Sequence, residues 1–267
     1  MLKFQKYHGA GNDFIMIDNR EKVFDVKDIE KIKFLCDRHL GIGADGIIFL
    51  ENSDKANCFM NYCNSDGTFV EMCGNGIRCL AKFFLEQTKP TEKELLIDTR
   101  DGIKKIFCND DGSVSVNMGI PVFSHNDFPS KPLTLENTLF YFVSMGNPHA
   151  VGFVKNISKI NLSEIGPKIE NNSVFKNKIN VEFVEKITDE YFKVRVWERG
   201  SCETLSCGTG ACAVYAILKK DPSNLLKTSK EITLEFSGGK LYLSENPEGQ
   251  IILRGPATKV FEGEIEL

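Results

Sequence analysis

Two short segments of the chain each place a cysteine directly before a Gly-x-Gly turn. The first is EMCGNGIRC with Cys73, and the second is LSCGTGACA with Cys207. Apolar residues recur at helical spacing after each turn, so each cysteine is predicted to stand at the start of a helix. A helix N-terminus carries unpaired N–H groups and about half a positive charge, so it binds anions and lowers the pKa of a cysteine. Each turn could therefore hold a carboxylate and present a thiol that takes or gives a proton.

Two such turns suit one reaction above others. If they faced the same ligand across a domain cleft, one sulfur would lie on each side of its α-carbon. A thiolate would then remove the α-proton from one face, and a thiol would return a proton to the other face. This is racemisation or epimerisation by two bases, and no residue pattern demands a cofactor. A lysine that forms a Schiff base with a pyridoxal cofactor stays an open alternative.

The cysteine turns belong to a longer internal repeat. At an offset of about 134 residues, the segment 73–76 falls on the segment 207–210. Further matches at or near this offset are Gly11-Asn12 with Gly146-Asn147, Gly46 with Asn180, and Asn64 with Glu198. The shared order indicates a duplication.

The elements that must position the two cysteines are short strands around one helix in each half. Strand-like segments are FIMID, DGIIFL, ELLIDT, LFYFVSM, FKVRVW, ITLEF and IILRG. The helix after Cys207 is apolar nearly all round, which is typical of a buried helix. We expect Lys89-Pro90 and Asp221-Pro222 to end the two helices. The predicted fold class is α+β, with two pseudo-symmetric domains, each a mostly antiparallel β-sheet or barrel wrapped round a central helix.

The domain boundary is predicted near Gly119. The N-terminal half takes residues 1–118, to which the tail 257–267 is expected to return, and the C-terminal half takes residues 119–256. Each half then has the size of an ordinary domain, about 130 residues. The Asn- and Lys-rich segment 155–178 is expected to be a surface excursion.

Composition and charge argue against several classes of partner. The net charge is -4 with no basic cluster, which argues against nucleic acid. No apolar run approaches the ~20 residues of a membrane span, and the N-terminus lacks the apolar core of a signal peptide. We therefore expect a soluble, cytoplasmic protein with no membrane partner.

The number and spacing of the cysteines indicate reduced thiols. The chain has nine cysteines, an odd number, and no Cys-x-x-Cys pair. A structural zinc site is the competing interpretation, and we expect no metal. Outside the two turns, the cysteines are expected to be small buried hydrophobic residues: Cys36, Cys58, Cys63, Cys79, Cys108, Cys202 and Cys212.

A set of motifs resembles the diaminopimelate epimerase family. The segments KYHGAGNDFI, NSDGTFVEMCGNGIRC, MGNPHAV, NVEFV and WERGSCETLSCGTGACA follow the family's order at ordinary spacing, and they cover essentially the whole chain. The resemblance implies a cofactor-independent epimerase that interconverts LL- and meso-diaminopimelate in lysine and peptidoglycan-precursor synthesis. It also implies two pseudo-symmetric α+β domains, a site in the cleft between them, and a homodimer.

The resemblance assigns roles to individual residues. Cys73 and Cys207 are the catalytic pair, whose acid and base roles swap with direction. The implied substrate-binding residues are Asn12, Asn64, Gly74, Asn75, Asn147, Asn180, Glu198, Arg199, Gly208 and Thr209. His149 and Glu198 are implied to influence the pKa values of the cysteines. The fork of N–H donors on Arg199 suits the distal carboxylate, although an isolated arginine would more often form a surface salt bridge.

Two positions depart from the family pattern. Some members carry a substrate-contacting glutamine where this chain has Gly46, so that contact is absent here. The glycine that usually follows the WERGS segment is Cys202, which adds a third thiol near the second turn.

Other functions compete with this interpretation. Proline and hydroxyproline racemases also use paired cysteines, and isomerases of the phenazine-biosynthesis type share the fold with different catalysts. Asn64, Asn180, Glu198 and Arg199 favour a substrate with a second charged end. A redox sensor that uses Cys73 and Cys207 would leave this amide and ionic set without a purpose. A zinc-binding module is the remaining alternative, and stoichiometric metal in the purified protein would reveal it.

Overall fold

Both thiol-bearing turns begin a helix, as the sequence predicts, and each helix lies against strands of its own half. In the computed structural model, residues 1–89, 92–220 and 231–267 are described. The chain divides into one unit of residues 1–116 with 255–267, and a second unit of residues 117–254. The predicted helix stops at Pro90 and at Asp221-Pro222 lie outside the described residues.

The first unit frames one long helix with short strands. Its strands are Leu2–Gly9 (β1), Asn12–Asp18 (β2), Gly46–Glu51 (β3), Cys58–Asn64 (β4), Phe69–Val70 (β5), Glu94–Thr99 (β6), Gly102–Cys108 (β7), Val114–Asn117 (β8) at the boundary, and Thr258–Ile265 (β18) near the C-terminus. Its helices are Ile29–Cys36 (α1) and Gly74–Thr88 (α2). β1 pairs antiparallel with β2 and with β18, β2 runs parallel to β3, and β3 pairs antiparallel with β4. β4 pairs antiparallel with β5 and parallel with β6, and β6, β7 and β8 continue antiparallel.

The second unit contains the same arrangement. Its strands are Leu133–Leu135 (β9), Thr138–Ser144 (β10), Pro148–Phe153 (β11), Asn180–Lys186 (β12), Tyr191–Glu198 (β13), Cys202–Thr204 (β14), Ile232–Phe236 (β15), Gly239–Glu245 (β16) and Ile251–Gly255 (β17), which ends at the boundary. Its helices are Leu162–Glu170 (α3) and Gly208–Lys220 (α4), with a 3-10 turn at Ile157–Lys159. β9 pairs antiparallel with β10 at the edge of this set.

From β10 to β17 the second unit repeats the pairing of β1 to β8 strand for strand. β11 runs parallel to β12 and β13 runs parallel to β15, while the other neighbours pair antiparallel. α1 connects β2 to β3, and α3 connects β11 to β12, which are the first parallel pairs of the two units. α2 directly precedes β6 and α4 directly precedes β15, which are the second strands of the next parallel pairs. The predicted fold class, two pseudo-symmetric α+β halves each wrapped round a central helix, is confirmed.

Burial of apolar faces holds the two long helices in place. α2 packs on β1, β2, β3, β6 and β7, and it buries Ile77, Leu80 and Phe84 at helical spacing. α4 packs on β10, β11, β12 and β16, and every residue from Gly210 to Leu218 is buried. Tertiary packing of this kind supplies most of the stability of a helix in a folded protein. No helix in the described parts of the chain is both long and apolar enough to cross a bilayer.

The expectation that residues 155–178 form a surface excursion was wrong. The segment contains α3, and Ile157, Leu162, Ile169 and Phe175 are buried in the core of the second unit. These apolar residues are sparse among asparagines and lysines, so their helical spacing is inconspicuous in the sequence.

Candidate active site

Cys73 is the N-cap of α2. Its backbone is extended (φ -135°, ψ 118°), and its Sγ accepts a hydrogen bond from Gly76 N–H at 3.4 Å. A Cβ on Gly76 would lie 2.7 Å from Cδ1 of Ile48, so a larger residue here would have to displace the Ile48 side chain. The thiol thus caps the first turn as a serine hydroxyl would, and the sulfur lies at the positive end of the helix.

Two asparagines that the family resemblance assigns to substrate binding lie beside Cys73. Asn12 Oδ1 is 3.7 Å from Cys73 Sγ and accepts from Asn75 Nδ2 at 3.4 Å. Asn75 is buried, and its Oδ1 accepts from Nη2 of the fully buried Arg78 at 2.9 Å. Arg78 also donates to the carbonyl of Gly74 at 2.9 Å. The first unit therefore brings Asn12, Cys73, Gly74 and Asn75 together.

Asn12 is held by an ionic network that sequence reasoning missed. Its Nδ2 donates to Asp45 Oδ2 at 2.7 Å. Arg38 Nη2 bridges Asp45 at 2.8 Å and Asp13 at 2.7 Å, and Lys6 Nζ lies 2.6 Å from Asp13. Burial acts to raise the pKa of Asp13, but hydrogen bonds from Arg38 and Lys6 outweigh it and hold the pKa well below its usual range. The network fixes the orientation of the Asn12 amide, with its nitrogen on Asp45.

Asn64 lies at the end of β4, opposite Gly46 in the pairing with β3. Its Oδ1 accepts from the hydroxyl of Tyr62 at 2.8 Å, and its Nδ2 donates to Thr68 Oγ1 at 3.3 Å. A Cβ on Gly46 would lie 2.4 Å from the carbonyl oxygen of Cys63 and 2.6 Å from the Tyr62 ring. The strand pair therefore has no room here for the glutamine that the family resemblance would place at this position.

Cys207 stands before α4 in the same way as Cys73 before α2. Its Sγ accepts from Gly210 N–H at 3.3 Å and lies 3.4 Å from Thr209 Oγ1. The prediction that the helix start lowers the thiol pKa is wrong here. Burial, and then the charges of Glu198 and Glu182, raise the pKa of Cys207 well above the ordinary value, against the hydrogen bonds from Thr209 and Gly210. These surroundings favour the thiol form of Cys207 over the thiolate.

Glu198 is the last residue of β13, and its carboxylate lies beside the Cys207 thiol. Its Oε1 accepts from Thr204 Oγ1 at 2.5 Å. Burial raises the pKa of Glu198, and the charge of Glu182 raises it further, whereas the hydrogen bonds from Thr204 and Cys207 and the charge of His149 lower it. The structure thus places Glu198 where a change in its charge acts on the thiol.

His149 is fully buried on β11 between two polar side chains. Its Nδ1 lies 2.6 Å from Glu182 Oε1, and its Nε2 lies 3.0 Å from Asn147 Oδ1. Glu182 is also fully buried, and sequence reasoning missed it inside NVEFV. The available signal was a charge at an inward position of a strand whose neighbours Val181 and Phe183 are apolar.

Asn180 connects the start of β12 to the loop after β13. Its Nδ2 donates to the carbonyl of Pro148 at 3.0 Å, and its Oδ1 accepts from Arg199 N–H at 2.9 Å. The side chain of Arg199 is exposed and donates from Nη1 to the carbonyl of Asn177 at 3.1 Å. A guanidinium has five N–H donors, so Arg199 keeps further donors for a ligand while its backbone is held in place.

Cys202 is exposed, so its predicted burial was wrong. Its backbone is left-handed (φ 64°), and it pairs with Glu198 across β13 and β14. A left-handed conformation favours glycine, which explains the glycine that the family resemblance would place here. Cys108 is only half-buried, whereas Cys36, Cys58, Cys63, Cys79 and Cys212 are buried as predicted.

Comparison with known proteins adds to this geometry. The family model described as diaminopimelate epimerase matches residues 4–124 and 141–260. A diaminopimelate epimerase of Synechococcus elongatus is 40% identical, across 100% of this chain and 99% of the relative. A PhzF-family phenazine biosynthesis protein of Bacillus anthracis superposes with a TM-score of 0.73 at 17% identity, covering 100% of this chain and 99% of that one. A hydroxyproline epimerase of Agrobacterium vitis, solved with trans-4-hydroxy-L-proline, gives a TM-score of 0.69 at 15% identity, covering 99% and 90%. The last two share the fold.

Proposed function

The chain belongs to the diaminopimelate epimerase family, a group of isomerases, and we propose that it interconverts LL- and meso-diaminopimelate without a cofactor. We place the reaction in lysine and peptidoglycan-precursor synthesis, as the resemblance implies. The observation that carries the proposal is the repeated thiol turn. Each unit places a cysteine at the start of its long helix. The Sγ of each cysteine accepts a hydrogen bond from the backbone N–H three residues later, which is Gly76 in the first unit and Gly210 in the second.

In this mechanism, Cys73 and Cys207 act on opposite faces of one α-carbon. The thiolate of one cysteine takes the α-proton, and the electron pair of the broken C–H bond stays on the substrate as a carbanion. The thiol of the other cysteine then gives its proton to the opposite face. One sulfur ends as a thiol and the other as a thiolate, so protons and charge balance, and the reverse reaction exchanges the two roles.

The first turns of the two helices hold the reacting α-carboxylate. Gly74-Asn75 and Gly208-Thr209 supply the backbone N–H groups for this. The first four N–H groups of an α-helix have no partner within the helix, and they attract anions. Negative charge grows on the carboxylate as the α-proton leaves, so these donors stabilise the carbanion more than the substrate.

The second amino-acid end of the substrate is held by the polar residues around β4, β12 and β13. The exposed fork of Arg199 suits the distal carboxylate, and Glu198 can accept from the ammonium group. The neutral members of this set are Asn64, Asn147 and Asn180. A site built from such partners discriminates against proline, which has no second charged end and would leave them unpaired.

Incubation of the purified protein with LL-diaminopimelate and no added cofactor tests the proposal. Chiral chromatography should show meso product, and parallel incubations with L-proline and trans-4-hydroxy-L-proline should show no change. Racemisation of proline without turnover of diaminopimelate would assign the rival function. A reversible disulfide with no isotope exchange at any α-carbon would instead favour a redox sensor, and stoichiometric metal in the purified protein would favour a zinc-binding module.

The resemblance also supports a proposal on assembly and location. The protein is a cytoplasmic homodimer that takes diaminopimelate, and not nucleic acid or a membrane, as its partner. The net charge of -4 agrees with the absence of a nucleic-acid surface. Sedimentation equilibrium should give twice the chain mass of 30.0 kDa, and a monomeric mass would contradict the dimer.

A further inference from the structure

Glu182 is a buried carboxylate whose second oxygen is unsatisfied. Its side chain is 0% exposed, and Oε1 lies 2.6 Å from His149 Nδ1. Oε2 is the only buried side-chain nitrogen or oxygen among the described residues that has no hydrogen-bond partner. Burying a carboxylate with an unpaired oxygen costs stability, and such costs concentrate at functional sites.

In the first unit, the positions equivalent to His149 and Glu182 are occupied by apolar residues. Phe14 and His149 occupy the same register position of β2 and β11, and Ile48 and Glu182 occupy the same position of β3 and β12. Phe14 and Ile48 are both fully buried. At these two equivalent buried positions, the first unit therefore has two hydrophobic side chains, and the second unit has a histidine and a carboxylate. The polar pair is not imposed by the architecture.

Ile48 and Glu182 also meet equivalent glycines. A Cβ on Gly76 would lie 2.7 Å from Ile48 Cδ1, and a Cβ on Gly210 would lie 2.6 Å from Glu182 Oε1. The same point at Gly210 is 3.2 Å from Cys207 Cβ. Glu182 therefore places a carboxylate against the first turn of α4. This is the positive end of the helix, which would also have to stabilise a thiolate on Cys207. Like charges in one place disfavour each other, so a carboxylate at this position disfavours a thiolate on Cys207.

We propose that Glu182 is a positioning residue that fixes the His149 ring and keeps the proton on Cys207 in the unliganded enzyme. Around this thiol, the titratable groups in the described part of the second unit are Glu182 on β12, Glu198 on β13 and, behind Glu182, His149 on β11. The inference rests on the proposed two-cysteine mechanism. Within it, Cys207 is the proton donor of the resting enzyme and Cys73 is the base.

Site-resolved alkylation tests the inference. Wild type, Glu182→Gln, Glu182→Asp and Glu185→Gln are treated with iodoacetamide across a pH series, and modification of the Cys207 peptide is quantified by mass spectrometry. Glu185 is the matched control, because it lies on the same strand and accepts from Ile157 N–H at 2.8 Å. A merely structural role of Glu182 would not move the pH midpoint of Cys207 alkylation.

We expect the wild-type midpoint to lie above the ~8.5 of an ordinary cysteine. Glu182→Gln, which removes the charge, should lower it by about one pH unit or more. Glu182→Asp, which keeps the charge, and Glu185→Gln should both retain the high midpoint. An unchanged midpoint in Glu182→Gln would overturn the inference. If that variant does not fold, a wild-type midpoint at or below the ordinary value would overturn it equally.

The failure of this inference differs from the failure of the proposed function. A wild type that epimerises diaminopimelate, combined with an unshifted midpoint in Glu182→Gln, removes the role of Glu182 and leaves the function intact. A wild type that epimerises no diaminopimelate removes the function itself.

Discussion

Asn12 donates a hydrogen bond from Nδ2 to Oδ2 of Asp45 at 2.7 Å, while its Oδ1 lies 3.7 Å from Cys73 Sγ. Because Asp45 takes the amide nitrogen, the amide oxygen is fixed on the side of the thiol. Arg38 binds Asp45 in turn at 2.8 Å, so the orientation of Asn12 is set by two residues of the connection between α1 and β3.

Replacing Asp45 by alanine releases the Asn12 amide. We expect kcat/KM for diaminopimelate to fall about 10-fold, about 1.4 kcal/mol, because the amide that we propose to contact the substrate loses its fixed orientation. Asp101→Ala is the control, since Asp101 is an exposed residue whose carboxylate binds a neighbouring cation, Lys104, at 2.7 Å. Steady-state kinetics on folded protein decide this, and equal kcat/KM in both variants would remove Asp45 from the positioning network.

Replacing either thiol of the proposed catalytic pair by alanine should abolish epimerisation. We expect Cys73→Ala and Cys207→Ala each to lose at least about 10²- to 10⁴-fold in kcat, because each removes a general acid or base. Cys108→Ala, which alters a half-buried cysteine of a hairpin, should keep wild-type turnover. Circular dichroism confirms the folds. Retained activity in either of the first two variants would take that cysteine out of the mechanism.

Arg199 is expected to act on the distal carboxylate of the substrate. Arg199→Met should lower kcat/KM about 10- to 100-fold, the loss of one charged hydrogen-bonded contact of about 1.5–3 kcal/mol. Arg195→Met is the matched control, because Arg195 lies four residues earlier on β13 and its guanidinium is bound to Glu203 at 2.7 Å. That control should lose stability and keep kcat/KM. If Arg199→Met keeps kcat/KM as well, the distal carboxylate is held elsewhere.

The pairing of Asp13 with Lys6 and Arg38 predicts a pH-dependent contribution to stability. Burial acts to raise the pKa of Asp13, but the hydrogen bonds from the two cations lower it overall. Because the folded pKa lies below the unfolded value of ~3.9, the stabilisation is present above about pH 4 and is lost as the pH falls towards the folded pKa.

Asp13→Asn should therefore lower the free energy of unfolding by about 2 kcal/mol at neutral pH. The difference from wild type should shrink on acidification below about pH 4. Urea unfolding of both proteins, at neutral pH and again below about pH 4, measures the difference in the free energy of unfolding under each condition. A difference that is the same at both would show that the charge of Asp13 does not contribute.

Local pattern was enough to predict much of the fold. The predicted segments ELLIDT and ITLEF coincide with β6 and β15, and both long helices begin directly after their cysteines. The signals were β-branched and aromatic runs between turn residues, and apolar spacing after Gly-x-Gly. α1 was missed and α3 was misjudged, because both are short and their buried residues are few.

The finer features of the site were not predictable from local pattern, since they depend on distant contacts. The bridge of Arg38 between Asp13 and Asp45 joins β2 to the connection between α1 and β3, and no spacing rule relates these residues. The pKa of Cys207 was mispredicted because burial, and then the charges of Glu198 and Glu182, outweigh the hydrogen bonds at the helix start, and burial becomes visible only in the folded chain.

Isotope incorporation in heavy water tests the two-base claim most directly. LL-diaminopimelate is incubated with the enzyme in D₂O, and recovered substrate and product are analysed separately by mass spectrometry at early times. The account predicts that meso product carries deuterium at the inverted α-carbon while recovered LL substrate stays largely unlabelled, because the base and the acid are different sulfurs on different faces. Heavy early labelling of the LL substrate would contradict the account, because it would show a single base that exchanges its proton with solvent.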